Sequence, residues 1–190
     1  LGVKWGEDFT IDSLRQDGYD AFLLAIGAWD TRKLGVVGED LQGVWSGVDF
    51  LVDLALGKPV EIGKNLAIIG GGNVAIDAAR NSVRMGAETI TVIYRRSREE
   101  MPASPEEIHG AEEEGVQFHF LAAPVRLFGS NGKVDKLEYI KMELGEPDAS
   151  GRRRPVPVEG SETLVPVDMV IAAIGQFPDL SPVESDNGIE

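Results

Sequence analysis

The chain contains no cysteine. Thiol–disulfide chemistry and thiolate-held iron–sulfur clusters are therefore excluded from its 190 residues. Histidine is almost as scarce. His109 and His119 are the only two, one in an expected helix and one in an expected strand, and no metal site is expected from them. No apolar run approaches the roughly 18 residues that a membrane-spanning helix requires, so no membrane partner is expected. Positive charge is in the minority: 18 Lys and Arg against 32 Asp and Glu leave a net charge of −14. Such a field repels polyanions, so nucleic acid is not an expected partner. The other proportions, 43% hydrophobic and 26% charged, are those of an ordinary globular chain.

Familiar side-chain catalysts are absent too. The Tyr-x-x-x-Lys pair of short-chain dehydrogenases is missing, because Leu23, Arg98 and Glu143 stand four residues after Tyr19, Tyr94 and Tyr139. No serine lies in a G-x-S-x-G elbow. No catalytic residue is assigned. That suits a reaction in which bound cofactors, rather than side chains, carry out the chemistry.

What is present is punctuated by glycine. Residues 12–17 suit a short helical turn closed by Gly18. The run 21–26 is continuously apolar, ends at Gly27 and reads as a buried strand. Ser46 caps an expected helix over 47–56, and 57–64 reads as a loop. A strand is expected at 66–69, a helix at 73–85, a strand at 89–94, a helix at 104–114 opened by Pro105, and a strand at 116–121. That alternation is half of a doubly wound parallel sheet. Asn131-Gly132 then predicts a tight hairpin between 125–128 and 134–144, an antiparallel insert in place of a crossover helix. Residues 148–157, with Arg152-Arg153-Arg154, read as an exposed loop, a second anion site being the weaker alternative. The last buried strand, 169–174, ends at Gly175. The expected fold is α/β: a Rossmann-like, three-layer NAD(P)-binding domain with a parallel central sheet and an antiparallel crossover insert.

The strand at 66–69 runs into Gly70-Gly71-Gly72-Asn73-Val74-Ala75, which fits G-x-G-x-x-A. In that pattern Gly70 makes the turn and Gly72 admits a pyrophosphate to the backbone, while Ala75 lets the helix lie close to the strand. The helix N-terminus contributes N–H groups and positive potential. The end of the following strand should choose the coenzyme. An NAD site places a carboxylate there for the ribose 2′-hydroxyl. Residues 89–98 contain none and instead carry Arg95, Arg96 and Arg98, which favours the 2′-phosphate of NADPH.

These features resemble the small (beta) subunit of NADPH-dependent glutamate synthase and its relatives, over nearly the whole chain. The resemblance rests on Ala25-Ile26-Gly27-Ala28, on Gly70 to Asp77, on Tyr94-Arg95-Arg96-Ser97 with Met101-Pro102-Ala103, and on Ala173-Ile174-Gly175-Gln176. It implies that Gly70, Gly71, Gly72, Asn73, Val74 and Ala75 hold the NADPH pyrophosphate. Arg95 and Arg96 would hold the 2′-phosphate, and Gly175 and Gln176 would lie near the nicotinamide. It further implies a cytoplasmic flavoprotein with FAD, and with iron–sulfur clusters carried elsewhere in the full-length protein or in a partner. Electrons would pass to a large (alpha) subunit or another acceptor protein. Only one glycine fingerprint is present and no Gly-Asp follows residue 175, so the chain reads as a segment of such a protein, inactive by itself. Residues 1–33 are expected to end a first FAD-domain segment, 34–175 to form the NADPH domain, and 176–190 to return to the FAD domain. Glutamate synthesis is the favoured role. The alternatives are a relative that reduces ferredoxin, a pyrimidine or a polysulfide, and a nucleotide-binding interaction module without redox activity.

Overall fold

The computed structural model describes residues 2–149 and 151–185, so the end of the expected returning tail, 186–190, lies outside the described residues. The chain divides into two compact units, 1–30 with 176–190, and 31–175.

In the first unit, α1 (Ile11–Gln16) begins at a reciprocal cap. The Thr10 hydroxyl accepts the Ser13 N–H at 3.1 Å, and the Ser13 hydroxyl accepts the Thr10 N–H at 3.0 Å. The strand expected at 21–26 does not form, and Leu23 is 92% exposed. Apolar character places a segment in a sheet only where a neighbour offers a hydrogen-bonding edge. Among the described residues none pairs with this run. The two-residue strand β1 (Asp30–Thr31) marks the first crossing between units.

The second unit has three layers. Its centre is a parallel sheet of β2 (Val44–Ser46), β3 (Asn65–Ile69), β4 (Thr89–Tyr94), β5 (Gln117–Phe120) and β10 (Met169–Ala172), ordered β2-β10-β3-β4-β5. Successive side chains of a strand face opposite sides, and both sides here are apolar. Leu66, Ile68, Ile90, Val92, Met169 and Ile171 join a core beneath α2 (Gly47–Ala55), α3 (Asn73–Arg84) and α4 (Pro105–Glu113). Ala67, Ile69, Ile93 and Val170 face the other layer, where they meet Leu127, Val134, Leu137 and Tyr139. α3 can lie close to the sheet because its inner face carries Ala75, Ala78, Ala79 and Ser82, all fully buried. α4 is pinned to α3 through Arg80, which bonds Glu107 and Glu114 at 2.8 Å each. The hydrogen bond from Arg80 holds the Glu114 carboxyl below the usual carboxylate range.

The outer layer is antiparallel: β6 (Ala122–Ser130), β7 (Lys133–Pro147) and β8 (Arg153–Pro157), with β9 (Thr163–Pro166) also on β7. Asn131 (φ +53°) and Gly132 (φ +80°) turn the β6–β7 hairpin, as their order demands. The loop expected over 148–157 is only half correct, since 153–157 is strand β8. Its prolines mislead because Pro is excluded from central strands but tolerated on edges, and β8 is an edge.

Asp168, immediately before β10, clamps the start of β3. Its carboxylate accepts the Lys64 N–H at 3.0 Å and the Asn65 N–H at 2.9 Å. A Cβ on Gly63 would come within 2.2 Å of the same carboxylate. Asp168→Ala should destabilise the protein by about 2 kcal/mol through the loss of two charge-assisted bonds, read as a lowered urea midpoint at unchanged m-value. An unchanged midpoint would show that solvent replaces the carboxylate at no cost. The chain returns to the first unit at β11 (Gln176–Phe177) and α5 (Ser181–Ser185). Among the described residues no helix is long and apolar enough to cross a membrane.

Candidate functional site

The neighbours β3 and β10 send their chains onward on different paths, and such switch points of parallel sheets are where ligands settle, beyond the carboxyl ends of the strands. The glycine triplet lies at the end of β3, and its three members have different surroundings. Gly70 has φ +145°, and a Cβ there would lie 2.2 Å from the Ala173 carbonyl oxygen. Its N–H donates to Ile93 O at 3.1 Å. A Cβ on Gly71 would strike the Tyr94 ring at 2.6 Å, and Gly71 O accepts the Ala103 N–H at 3.1 Å. The protein's own packing accounts for both glycines.

Gly72 differs. Its φ of −93° and ψ of 178° are open to any residue, and the nearest atom to a Cβ there is Pro102 Cγ at 3.9 Å. Nothing among the described residues requires glycine at this position. It is also the N-cap of α3, and no side chain caps that helix. Ser46 and Ser104 cap α2 and α4. The first turn of α3 contains no acidic residue, so no carboxylate offsets the positive end of its dipole. Asn73 is exposed at the first turn, Val74 is half-buried beside Gly47, and Ala75 is fully buried against the sheet. An uncapped helix start behind open space, with a backbone that a side chain would block, is a cradle shaped for an anion.

The three arginines after β4 have separate fates. Arg95 is exposed and, among the described residues, has no partner. Arg96 is 3% exposed: its Nε donates to Arg153 O at 2.7 Å and its Nη2 to Asp148 Oδ2 at 2.6 Å. Arg98 binds both oxygens of Glu112 on α4, and that bond holds the Glu112 carboxyl below its usual range. The expectation that Arg95 and Arg96 read one phosphate together therefore meets a divided geometry, in which only Arg95 faces solvent. Sequence reasoning assigned no role to Asp148. The local signal was a pair of acids, Glu146 and Asp148, a few residues before three arginines.

Gly175 ends the second unit with φ +120°, and its carbonyl accepts the Arg32 N–H at 3.1 Å. Gln176 begins the return to the first unit, where its Nε2 donates to Ala28 O at 2.8 Å. His109 and His119 are on α4 and β5, and no metal-binding group of residues occurs among those described.

Comparison with known proteins agrees with this architecture. The family model for pyridine nucleotide-disulphide oxidoreductases matches residues 3–190. The NADPH-Fe(3+) oxidoreductase subunit beta of Geobacter sulfurreducens is 49% identical over 99% of this chain, which covers 28% of that protein. The NADP(+)-dependent formate dehydrogenase subunit beta of Moorella thermoacetica is 49% identical over 95% of the chain and 26% of its own length. The glutamate synthase [NADPH] small chain of Escherichia coli is 40% identical over 94% of the chain and 40% of its own length. The chain thus spans between about a quarter and two fifths of these relatives. Among solved structures, Mycobacterium tuberculosis FprA in complex with NADPH shares the fold with a TM-score of 0.72 at 21% identity, over 86% of this chain and 52% of FprA. The parallel sheet, the glycine turn into α3 and the family match along the whole chain lead to one conclusion: this chain belongs to the pyridine nucleotide-disulphide oxidoreductase family.

Proposed function

We propose that this chain is the NADPH-docking part of an FAD-dependent oxidoreductase that delivers electrons through iron–sulfur centres to a partner protein. The carrying observation is Gly72, the one glycine of the triplet that the fold does not need. A pyrophosphate laid against its backbone would take the free N–H groups at the start of α3, with Gly70 and Gly71 shaping the turn and Asn73, Val74 and Ala75 forming the first helical turn. Arg95 would take the 2′-phosphate directly, and Arg96 would act from behind it. Gly175 and Gln176 would border the nicotinamide side. Bound there, the coenzyme would supply hydride to a flavin held by the FAD domain of the full-length protein. In this reading 1–33 and 176–190 belong to the FAD domain and 34–175 form the coenzyme domain, and the protein works in the cytoplasm.

A partner is supported by the names of the relatives, which are beta subunits or a small chain. Glutamate synthesis is one role within this class. The two relatives at 49% identity carry names of iron(III) reduction and formate oxidation, so the proposal extends to electron delivery in general. Calorimetric titration with NADPH and NADH tests it. NADPH should bind about 10- to 100-fold more tightly, the worth of one charged bond to a phosphate. Equal affinities, or a preference for NADH, would defeat the coenzyme assignment.

A further inference from the structure

The exposed Arg95 stands on a turn whose anchorage lies far away in sequence. The next residue, Arg96, is bonded through both its backbone and its side chain. Its carbonyl accepts the Leu121 N–H at 3.1 Å, at the junction between β5 and β6. Leu121 has φ +55°, a strained conformation for a leucine, and its own carbonyl accepts the Met142 N–H from β7 at 2.8 Å. The Arg96 side chain continues to the far end of the same antiparallel layer, to Arg153 O on β8 and to Asp148, 52 residues away. Asp148 is fixed in turn, because its N–H donates to Arg152 O at 2.8 Å and its carbonyl accepts the Gly151 N–H at 2.9 Å. Arg96 is thus a buried strut between the end of β4 and the tip of the β7–β8 hairpin.

A buried guanidinium with a carboxylate partner does not leave it readily for a solvent-borne phosphate, since breaking such a pair strands a charge. The strut therefore holds one geometry. The adjacent residue in the chain is the one that faces the coenzyme, so the direction of Arg95 follows from where Arg96 is tied. We propose that Asp148 is a positioning residue for coenzyme selection: by holding Arg96, it fixes the turn from which Arg95 reads the 2′-phosphate. The inference rests on the NADPH reading above and adds to it a determinant in the crossover hairpin. Two hydrogen bonds, both donated by Arg96, join that hairpin to the coenzyme turn. It predicts that selectivity, rather than nucleotide binding as a whole, depends on the hairpin tip.

The test measures the ratio of NADH to NADPH dissociation constants for the protein and for Asp148→Ala, Asp148→Asn and Arg95→Ala. Asp148→Ala should lower the ratio about tenfold, because the arginine turn loses its fixed direction, with NADH affinity within about twofold of the parent. Asp148→Asn keeps an oxygen that accepts from Arg96 and should restore most of the ratio. An unchanged ratio in Asp148→Ala, or equal weakening of both nucleotides, would overturn the positioning role. Tighter NADPH binding in Asp148→Ala would overturn it differently, by showing that the carboxylate competes with the phosphate for Arg96. If Arg95→Ala leaves the ratio unchanged, the NADPH reading itself fails and the strut proposal falls with it. If Arg95→Ala collapses the ratio and Asp148→Ala does not, only the strut proposal fails.

Discussion

Gly72→Val should weaken NADPH and NADH alike, by on the order of 100-fold or more, in a protein that still folds. The size follows from losing one or two charge-assisted N–H bonds to the pyrophosphate, each about 1.5–3 kcal/mol. The folding half of the statement follows from the open space at this position, where the nearest atom to an added Cβ is 3.9 Å away. A branched residue is a poorer helix cap than glycine, which limits the stability loss to about 1 kcal/mol. The same change at Gly70 should give the opposite pattern. A Cβ there would lie 2.2 Å from Ala173 O at a φ of +145°, so Gly70→Val should fail to fold at all. Circular dichroism and nucleotide titration of both variants check the pair. If Gly72→Val folds and binds both nucleotides as before, the pyrophosphate does not lie on α3.

Arg95→Ala should cost NADPH roughly 10- to 100-fold and leave NADH nearly unchanged, because only the former carries a 2′-phosphate. Arg98→Ala should alter neither, because Arg98 is already held by both oxygens of Glu112. The net charge of −14 does not mask this local effect, since charges beyond about 8 Å are screened at physiological salt. Comparable losses for both nucleotides in Arg95→Ala would place that residue in the fold rather than on the phosphate.

These expectations depend on parts of the molecule that were legible to very different degrees. The glycine turn, the capped helices and the Asn131-Gly132 hairpin were readable because local chemistry dictates them: φ values, caps and turn types need only adjacent residues. The layer order followed from strand and helix alternation. Strands β8 and β9 escaped notice because Pro155, Pro157 and Pro166 mark edges as readily as loops. The run 21–26 misled in the other direction, since apolar composition says nothing about which edge is available. Around the glycine turn, the contrast between an exposed Arg95 and a buried Arg96 was illegible. It is decided by Asp148 and the Arg153 carbonyl, which the fold, not the sequence spacing, brings to Arg96.

The bond from Arg32 N–H to Gly175 O closes the second unit at its two ends. A body of 145 residues whose start and finish meet within 3.1 Å spans no gap in whatever receives it. A host chain can be interrupted at a single loop, accept such a module and resume where it left off, with little loop-closure entropy added at the seam. That geometry makes such a unit transplantable between hosts with different bodies. It offers a physical route by which one module can serve proteins named for iron(III) reduction, formate oxidation and glutamate synthesis.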